Sequence, residues 1–104
     1  EKNIERRYSI AFVLEQIVNE CINLGNHIIS EKELGQPESY KDIFEILAKN
    51  GLISKAVAED MKYFVEVRNI IAHRYGKFPN RDLLNAVRKR KYIEKFTQQL
   101  VKKI

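Results

Sequence analysis

The sequence has few residues that form disulfides or bind metals, and it has no long apolar segment that could span a membrane. It has one cysteine, two histidines and no tryptophan among 104 residues. Cys21 has no second cysteine to pair with, which excludes an internal disulfide and favours a reducing compartment, the cytoplasm. No apolar run approaches the length of a membrane span, and the charged start of the chain is unlike a signal peptide. We therefore expect a cytoplasmic protein without a membrane segment.

Short motifs that mark common enzyme classes are missing as well. The sequence has no glycine-rich phosphate loop, no Gly-x-Ser-x-Gly and no cysteine–histidine cluster at metal-ligand spacing. His27 follows Cys21 by six residues, and on a helix two side chains at that spacing point to different sides. We expect no metal and no cofactor, and we interpret His27 as a residue near a helix end that interacts with the helix dipole.

The size of the chain limits it to one domain, residues 1–104. A chain of 12.3 kDa buries about two-thirds of its surface on folding, which allows one modest core. That excludes a TIM barrel or a dinucleotide-binding enzyme with a second domain. Hydrophobic residues make up 44% and charged residues 32%, which is typical of a globular chain. Because the sequence starts without methionine, at Glu1 and inside a helical pattern, we expect a missing N-terminal piece.

Apolar residues recur at three- and four-residue steps over most of the chain, which predicts helices. The predicted helices span residues 3–29, 40–49, 55–75 and 81–103. Their ends are marked by candidate capping residues, namely Ser39 with Asp42, Ser54, Asn80 and, as a stop, Gly51. Sustained period-2 alternation and hairpin dipeptides are absent, so no strand is predicted. The pattern predicts an all-α fold, an antiparallel four-helix bundle with short connections.

The net charge of +5 is concentrated at the C-terminal end of the chain. Residues 86–104 carry a net charge of +6, and the rest of the chain sums to −1. The densest part is a run of four cations, Arg88, Lys89, Arg90 and Lys91. Such a run can attract nucleic acid through phosphate contacts, but it is equally compatible with the solvated face of a surface helix.

The end of the third predicted helix holds the most distinctive pattern, Arg68-Asn69-x-x-x-His73-x-Tyr75. Asn69 and His73 are four residues apart and share a helix face, so the amide can orient the imidazole. Arg68 and His73 are about 140° apart on an ideal helix, by its 3.6-residue period. They converge if the arginine reaches round, if the helix end unwinds near Gly76, or if a second copy of the chain supplies one of them.

A purely structural interpretation of the same residues remains open. In it, Arg68 pairs with Glu66 or Glu45 in the bundle. His73 and Arg74 are then favourably placed at the negative end of a helix, with Tyr75 packed against neighbouring helices.

Several segments, in order and spacing, resemble the HEPN superfamily and in particular the HepT-like toxins. They are Ile17–Ile29, Ser39–Leu47, Asn50–Ile53 and Val67–Gly76, the last containing Arg68, Asn69, His73 and Tyr75. The resemblance extends over residues 7–100. Family members usually begin with one more helix, which we expect to be absent or shortened here.

The resemblance implies a metal-independent ribonuclease that is the toxin of a toxin–antitoxin pair. It also implies a homodimer in which the two motifs face each other, and a nucleotidyltransferase-fold antitoxin as partner. Carried over to this chain, Arg68 and His73 are the catalytic pair and Asn69 is the polar residue after the arginine. Tyr75 corresponds to the tyrosine that the antitoxin modifies with AMP, which silences the toxin.

Histidine suits the proton transfers of RNA cleavage, and arginine suits the charged transition state. Further contacts to RNA or antitoxin are expected from the cations Arg74, Arg88, Lys89, Arg90 and Lys91. The alternative function is a non-catalytic helical module that docks a nucleotidyltransferase or binds nucleotide. A third interpretation is a helical bundle without a ligand.

Overall fold

The computed structural model describes residues 2–74 and 80–103, and it confirms the predicted all-α bundle. Five helices follow one another in the chain: α1 (Lys2–Glu31), α2 (Tyr40–Lys49), α3 (Lys55–Arg74), α4 (Asn80–Arg88) and α5 (Lys91–Lys103). No strand occurs in these two stretches. No helix within them is long and apolar enough to cross a membrane.

The predicted caps explain where α2 and α3 begin. The Ser39 hydroxyl accepts a hydrogen bond from the Asp42 backbone N–H at 3.1 Å, and Asp42 Oδ2 accepts one from the Glu38 N–H at 2.9 Å. This reciprocal pair satisfies backbone donors that the first turn of α2 leaves free. Ser54 caps α3 in the same way, since its hydroxyl accepts from the Val57 N–H at 3.1 Å.

Gly51 ends the turn after α2, as predicted from the sequence. Its φ angle is +73°, a region that side chains with a Cβ rarely occupy. The turn lets the chain reverse, and α3 then runs antiparallel to α2. The order of the ion pairs between them shows this direction, because Lys41 meets Glu66 whereas Glu45 meets Lys62.

The prediction of a single helix over residues 81–103 is wrong in one respect, because the helix is interrupted between Arg88, the end of α4, and Lys91, the start of α5. Here i→i+3 hydrogen bonds replace the regular ladder: the Arg90 N–H donates to the Val87 carbonyl at 3.3 Å and the Ile93 N–H to the Arg90 carbonyl at 3.0 Å. The Arg90 guanidinium also donates to the Val87 carbonyl at 2.8 Å. These bonds satisfy the backbone groups that the break releases.

One continuous core joins the helices, with Phe44, Met61, Phe64 and Phe96 among its fully buried side chains. The Phe44 and Phe96 rings meet edge to face with centroids 5.4 Å apart, which ties α5 to α2. The start of α3 is fixed to α5 as well, since the Ser54 N–H donates to Gln99 Oε1 at 2.8 Å. The core thus holds α3 between α2 and α5, and so fixes the end of α3 that carries the motif.

Candidate active site

The last two turns of α3 carry the motif at the edge of the core. Val67 and Ile71 are buried, which sets the rotation of the helix. Arg68 and Asn69 are consequently half-buried at the boundary between core and solvent, and His73 is exposed. The local sequence therefore places the Arg68 guanidinium and the Asn69 amide partly inside the protein and the His73 imidazole on its surface.

Arg68 is held by groups from three helices. Its Nε–H donates to Asn19 Oδ1 of α1 at 2.8 Å, and its Nη1–H donates to Asn69 Oδ1 at 3.0 Å. The guanidinium carbon also lies 5.2 Å from the ring centroid of Tyr40, the first residue of α2. This distance is within the range of a cation–π interaction. The contacts fix the arginine against α1 and α2.

The two carboxylates that the structural interpretation assigned to Arg68 bind other cations. Glu66 pairs with Lys41 at 3.2 Å. Glu45 pairs with Lys62, whose ammonium holds the pKa of that carboxyl below its usual value. Within residues 2–74 and 80–103, no carboxylate pairs with Arg68. Its positive charge is accordingly held by neutral groups and is not neutralised by them.

His73 differs from its expected arrangement. The amide oxygen of Asn69 accepts from Arg68, and no hydrogen bond joins Asn69 to His73. Among the described residues, His73 forms no hydrogen bond or ion pair. The reason is geometric, because the arginine next to Asn69 reaches its amide oxygen along the edge of the core, whereas His73 extends into solvent.

The structure narrows the ways in which Arg68 and His73 can meet. Helix α3 is unbroken from Lys55 to Arg74, so no unwinding separates the two residues. Arg68 is bonded to Asn19 on α1 and does not reach round its own helix towards His73. The composite site that uses a second copy of the chain stays a prediction. Tyr75 and Gly76 lie outside the described residues, as does the side chain of Arg74.

The basic run surrounds the turn between α4 and α5. All four side chains, those of Arg88, Lys89, Arg90 and Lys91, are exposed. Two of them contact their own fold: Arg90 bonds the Val87 carbonyl, and Lys89 Nζ lies 4.5 Å from the centroid of the Tyr63 ring. Among the described residues, Arg88 and Lys91 make no such contact and present their charge to solvent.

Asn19 and Tyr40 were not identified as site residues from the sequence. Tyr40 stood inside one of the recognised segments, and Asn19 interrupts the apolar pattern of α1 directly after the buried Val18. A polar residue beside core positions is a weak signal, and the identity of its partner depends on how α1 packs on α3. In the described part of the chain, no group of three or more His, Cys, Asp or Glu side chains suits a metal ion.

Comparisons with known proteins agree on one group. The family model described as "Ribonuclease HepT-like" matches residues 1–100. The mRNA nuclease HepT of Shewanella oneidensis is 37% identical over 67 residues, which cover 64% of this chain and 50% of that protein. The chain thus spans about half the length of this curated relative.

Two solved structures share the fold. A crystal structure of a toxin–antitoxin with AMP-PNP superposes with a TM-score of 0.76 at 29% identity, covering 88% of this chain and 68% of that one. A tyrosine-to-alanine mutant of a toxin–antitoxin named MntA-HpeT gives a TM-score of 0.73 at 29% identity, covering 86% and 66%.

Proposed function

The chain belongs to the HepT-like family, and from that premise we propose that it is a metal-independent endoribonuclease, the toxin of a toxin–antitoxin pair. The observation that carries this proposal is the state of Arg68. It is a half-buried cation held by neutral groups at the edge of the core, with no carboxylate to neutralise it among the described residues. Such a cation is suited to bind an anion.

RNA cleavage builds up negative charge on the phosphate oxygens in the transition state. A guanidinium stays protonated and binds two oxygens of one phosphate at once, so Arg68 stabilises that charge. His73 is exposed and supplies an imidazole, a group that can act as a general acid or a general base. We assign it the proton transfer at the 2′-hydroxyl or at the leaving oxygen. Asn69 supports the site through its bond to Arg68.

The active site is composite in this proposal, with Arg68 from one copy and His73 from the other in a homodimer. Two exposed aromatic residues support this. Tyr8 and Phe12 are 50% and 62% exposed, and each lies about 20° from Asn19 around α1 by the 100° step of a helix. An apolar surface thus borders the Arg68 site, and a second copy that covers it brings the two motifs together.

In this proposal, the antitoxin inhibits the toxin. We propose that a nucleotidyltransferase-fold antitoxin attaches AMP to Tyr75, which adds bulk and negative charge beside the site and competes with the RNA phosphate. The structurally similar toxin–antitoxin solved with the ATP analogue AMP-PNP supports this assignment. Arg74, Arg88, Lys89, Arg90 and Lys91 are proposed contacts to RNA or to the antitoxin.

The test is RNA cleavage in EDTA by the protein purified with and without its antitoxin, combined with intact-mass measurement. The proposal predicts cleavage by the unmodified protein, and loss of cleavage when AMP is mapped to Tyr75. A folded, unmodified dimer that leaves RNA intact would instead support the non-catalytic module that docks a nucleotidyltransferase or binds nucleotide.

A further inference from the structure

The hydrogen bonds of Arg68 determine which of its donors remain available for a ligand. A guanidinium has five N–H donors in a planar fork. Nε–H is used by Asn19, and one Nη1–H is used by Asn69. The second Nη1–H and both Nη2–H groups are left, and they form the outer end of the fork. This end is the part that binds two oxygens of a phosphate in parallel.

The partners that hold Arg68 are all uncharged. Asn19 and Asn69 offer amide oxygens, and Tyr40 offers the face of its ring at 5.2 Å. An aspartate in place of Asn19 would accept the same hydrogen bond and would attract the guanidinium more strongly. It would also cancel the charge that a phosphate needs. The choice of asparagine therefore favours ligand binding over the strength of the internal contact.

We propose that Asn19 and Tyr40 are positioning residues for Arg68, which aim the outer end of its guanidinium at the RNA phosphate while keeping its charge. Asn19 fixes the Nε side through one hydrogen bond, and Tyr40 holds the group by a cation–π contact. Neither residue touches the reacting atoms, since both act through Arg68. This inference rests on the proposed function and adds two residues from α1 and α2 to the site.

The substitution Asn19→Asp tests whether the residue that holds Arg68 must also leave its positive charge uncompensated. It preserves the size of the side chain and the acceptor atom, and it adds an ion pair to Arg68. A structural role predicts that stability and activity are both maintained or improved. The positioning role predicts a melting temperature that does not fall, together with a decrease of about 10- to 100-fold in kcat/KM, because the transition-state charge loses its partner.

The matched control is Asn26→Asp, on the same helix. Asn26 is exposed and lies seven residues beyond Asn19, which is two turns and about 10 Å along α1. This distance is about one Debye length at 0.1 M salt, so the same added charge is largely screened from the site. We expect kcat/KM within about twofold of wild type. Tyr40→Phe keeps the aromatic ring that contacts the guanidinium and should retain activity, whereas Tyr40→Leu removes the ring and should lose activity.

Two readouts keep this inference separate from the proposed function. The first is the rate of RNA cleavage in EDTA, with kcat and KM determined apart. The second is the affinity for a 2′-O-methyl RNA oligonucleotide, which cannot be cut through its 2′-oxygen, measured by fluorescence anisotropy at fixed salt. Weaker binding by Asn19→Asp than by Asn26→Asp supports the inference even if the wild type proves unable to cleave.

Failure is equally clear. Cleavage and binding by Asn19→Asp that match those of Asn26→Asp would overturn the positioning role. The role would also be overturned if losses of cleavage and binding were proportional to the decrease in melting temperature across all variants. That result would show that Asn19 acts through stability alone. A wild type that does not cleave RNA, while Asn19→Asp still binds the oligonucleotide more weakly than Asn26→Asp, would reject the nuclease function. It would leave a phosphate-binding site centred on Arg68.

Discussion

His73 is the residue whose proposed catalytic role can be tested with the least effect on the fold. Its side chain is exposed and has no hydrogen-bond partner among the described residues, so truncation removes no packing there. We expect His73→Ala to leave the melting temperature unchanged and to reduce RNA cleavage about 10²- to 10⁴-fold, the usual contribution of general acid–base catalysis.

The second histidine provides the control for this prediction. His27 is exposed on α1, with Nε2 3.7 Å from Glu31 Oε2. His27→Ala should cleave RNA at the wild-type rate. Retained cleavage by a clean preparation of His73→Ala would remove His73 from the catalytic pair.

Cys21 is expected to make the protein less stable as the pH rises through the alkaline range. Burial, and to a smaller degree the charge of Glu20, raises the pKa of its thiol from 9.0 to about 11. The folded state therefore favours the neutral thiol. This contribution to stability is fully present below pH 9 and is lost as the pH rises towards 11.

Denaturant titrations at several pH values between 8 and 11 test this prediction. Burial also raises the pKa of Tyr63, so the comparison with Cys21→Ala is needed to isolate the thiol. The wild type should lose more stability than the variant over this interval. Parallel stability curves would contradict the assignment, as would rapid reaction of the folded protein with a thiol reagent at pH 8.

The residues of the site differ in how far the sequence reveals them. Arg68, Asn69 and His73 form a compact pattern in the sequence, so their placement near the end of one helix follows from spacing alone. Asn19, on α1, lies 49 positions before Arg68, the residue that it contacts. Tyr40 contacts the same arginine from α2. Their contacts depend on the packing of α1 and α2 on α3, which no local pattern specifies.

At the scale of elements, Gly25 sets how closely α1 and α2 approach. A Cβ at this position would lie 2.7 Å from Ile43 Cγ2 and 3.2 Å from Leu47 Cδ1. Ile43 is buried and branched at Cβ, so its methyl group has little freedom to move. A glycine inside a helix is usually expected only to weaken that helix. The structure shows that the glycine is needed for packing.

Gly25→Ala should consequently destabilise the protein. Overpacking costs about 1–3 kcal/mol, and the better helix propensity of alanine returns about 1 kcal/mol. We expect a net loss of about 1 kcal/mol, which is about 4–8 °C in melting temperature for a domain of this size. Asn26→Ala, at an exposed neighbouring position, should leave the melting temperature the same or slightly higher. A Gly25→Ala variant more stable than wild type would disprove the close contact.

The starts of α2 and α3 were predictable because capping is local chemistry, whereas α4 begins at Asn80, the residue predicted to precede it as a cap. Ser39 with Asp42, and Ser54, form the hydrogen bonds that their spacing suggested. The break between α4 and α5 was not predictable, because no glycine or proline lies between Arg88 and Lys91. It depends on i→i+3 bonds and on the guanidinium of Arg90 at the Val87 carbonyl, which form only in the folded chain.

At the scale of the whole molecule, the proposed site is incomplete in one copy of the chain. Arg68 is fixed towards α1 and α2, whereas His73 is exposed about 140° away on an unbroken helix. In the proposed dimer, a two-fold axis beside the exposed Tyr8 and Phe12 would bring the arginine of one copy to the histidine of the other. Such a dimer would hold two equivalent sites, and each site would need both copies.

Mixed dimers test this arrangement most directly. Arg68→Ala and His73→Ala chains are co-expressed with different tags, and the dimers that carry both tags are isolated. In such a dimer one site has lost both residues and the other has retained both. We predict that each variant alone is inactive in RNA cleavage, and that the mixed dimer recovers about half of the wild-type rate because one of its two sites is intact. A mixed dimer as inactive as either variant, beside an active wild type, would contradict the composite site.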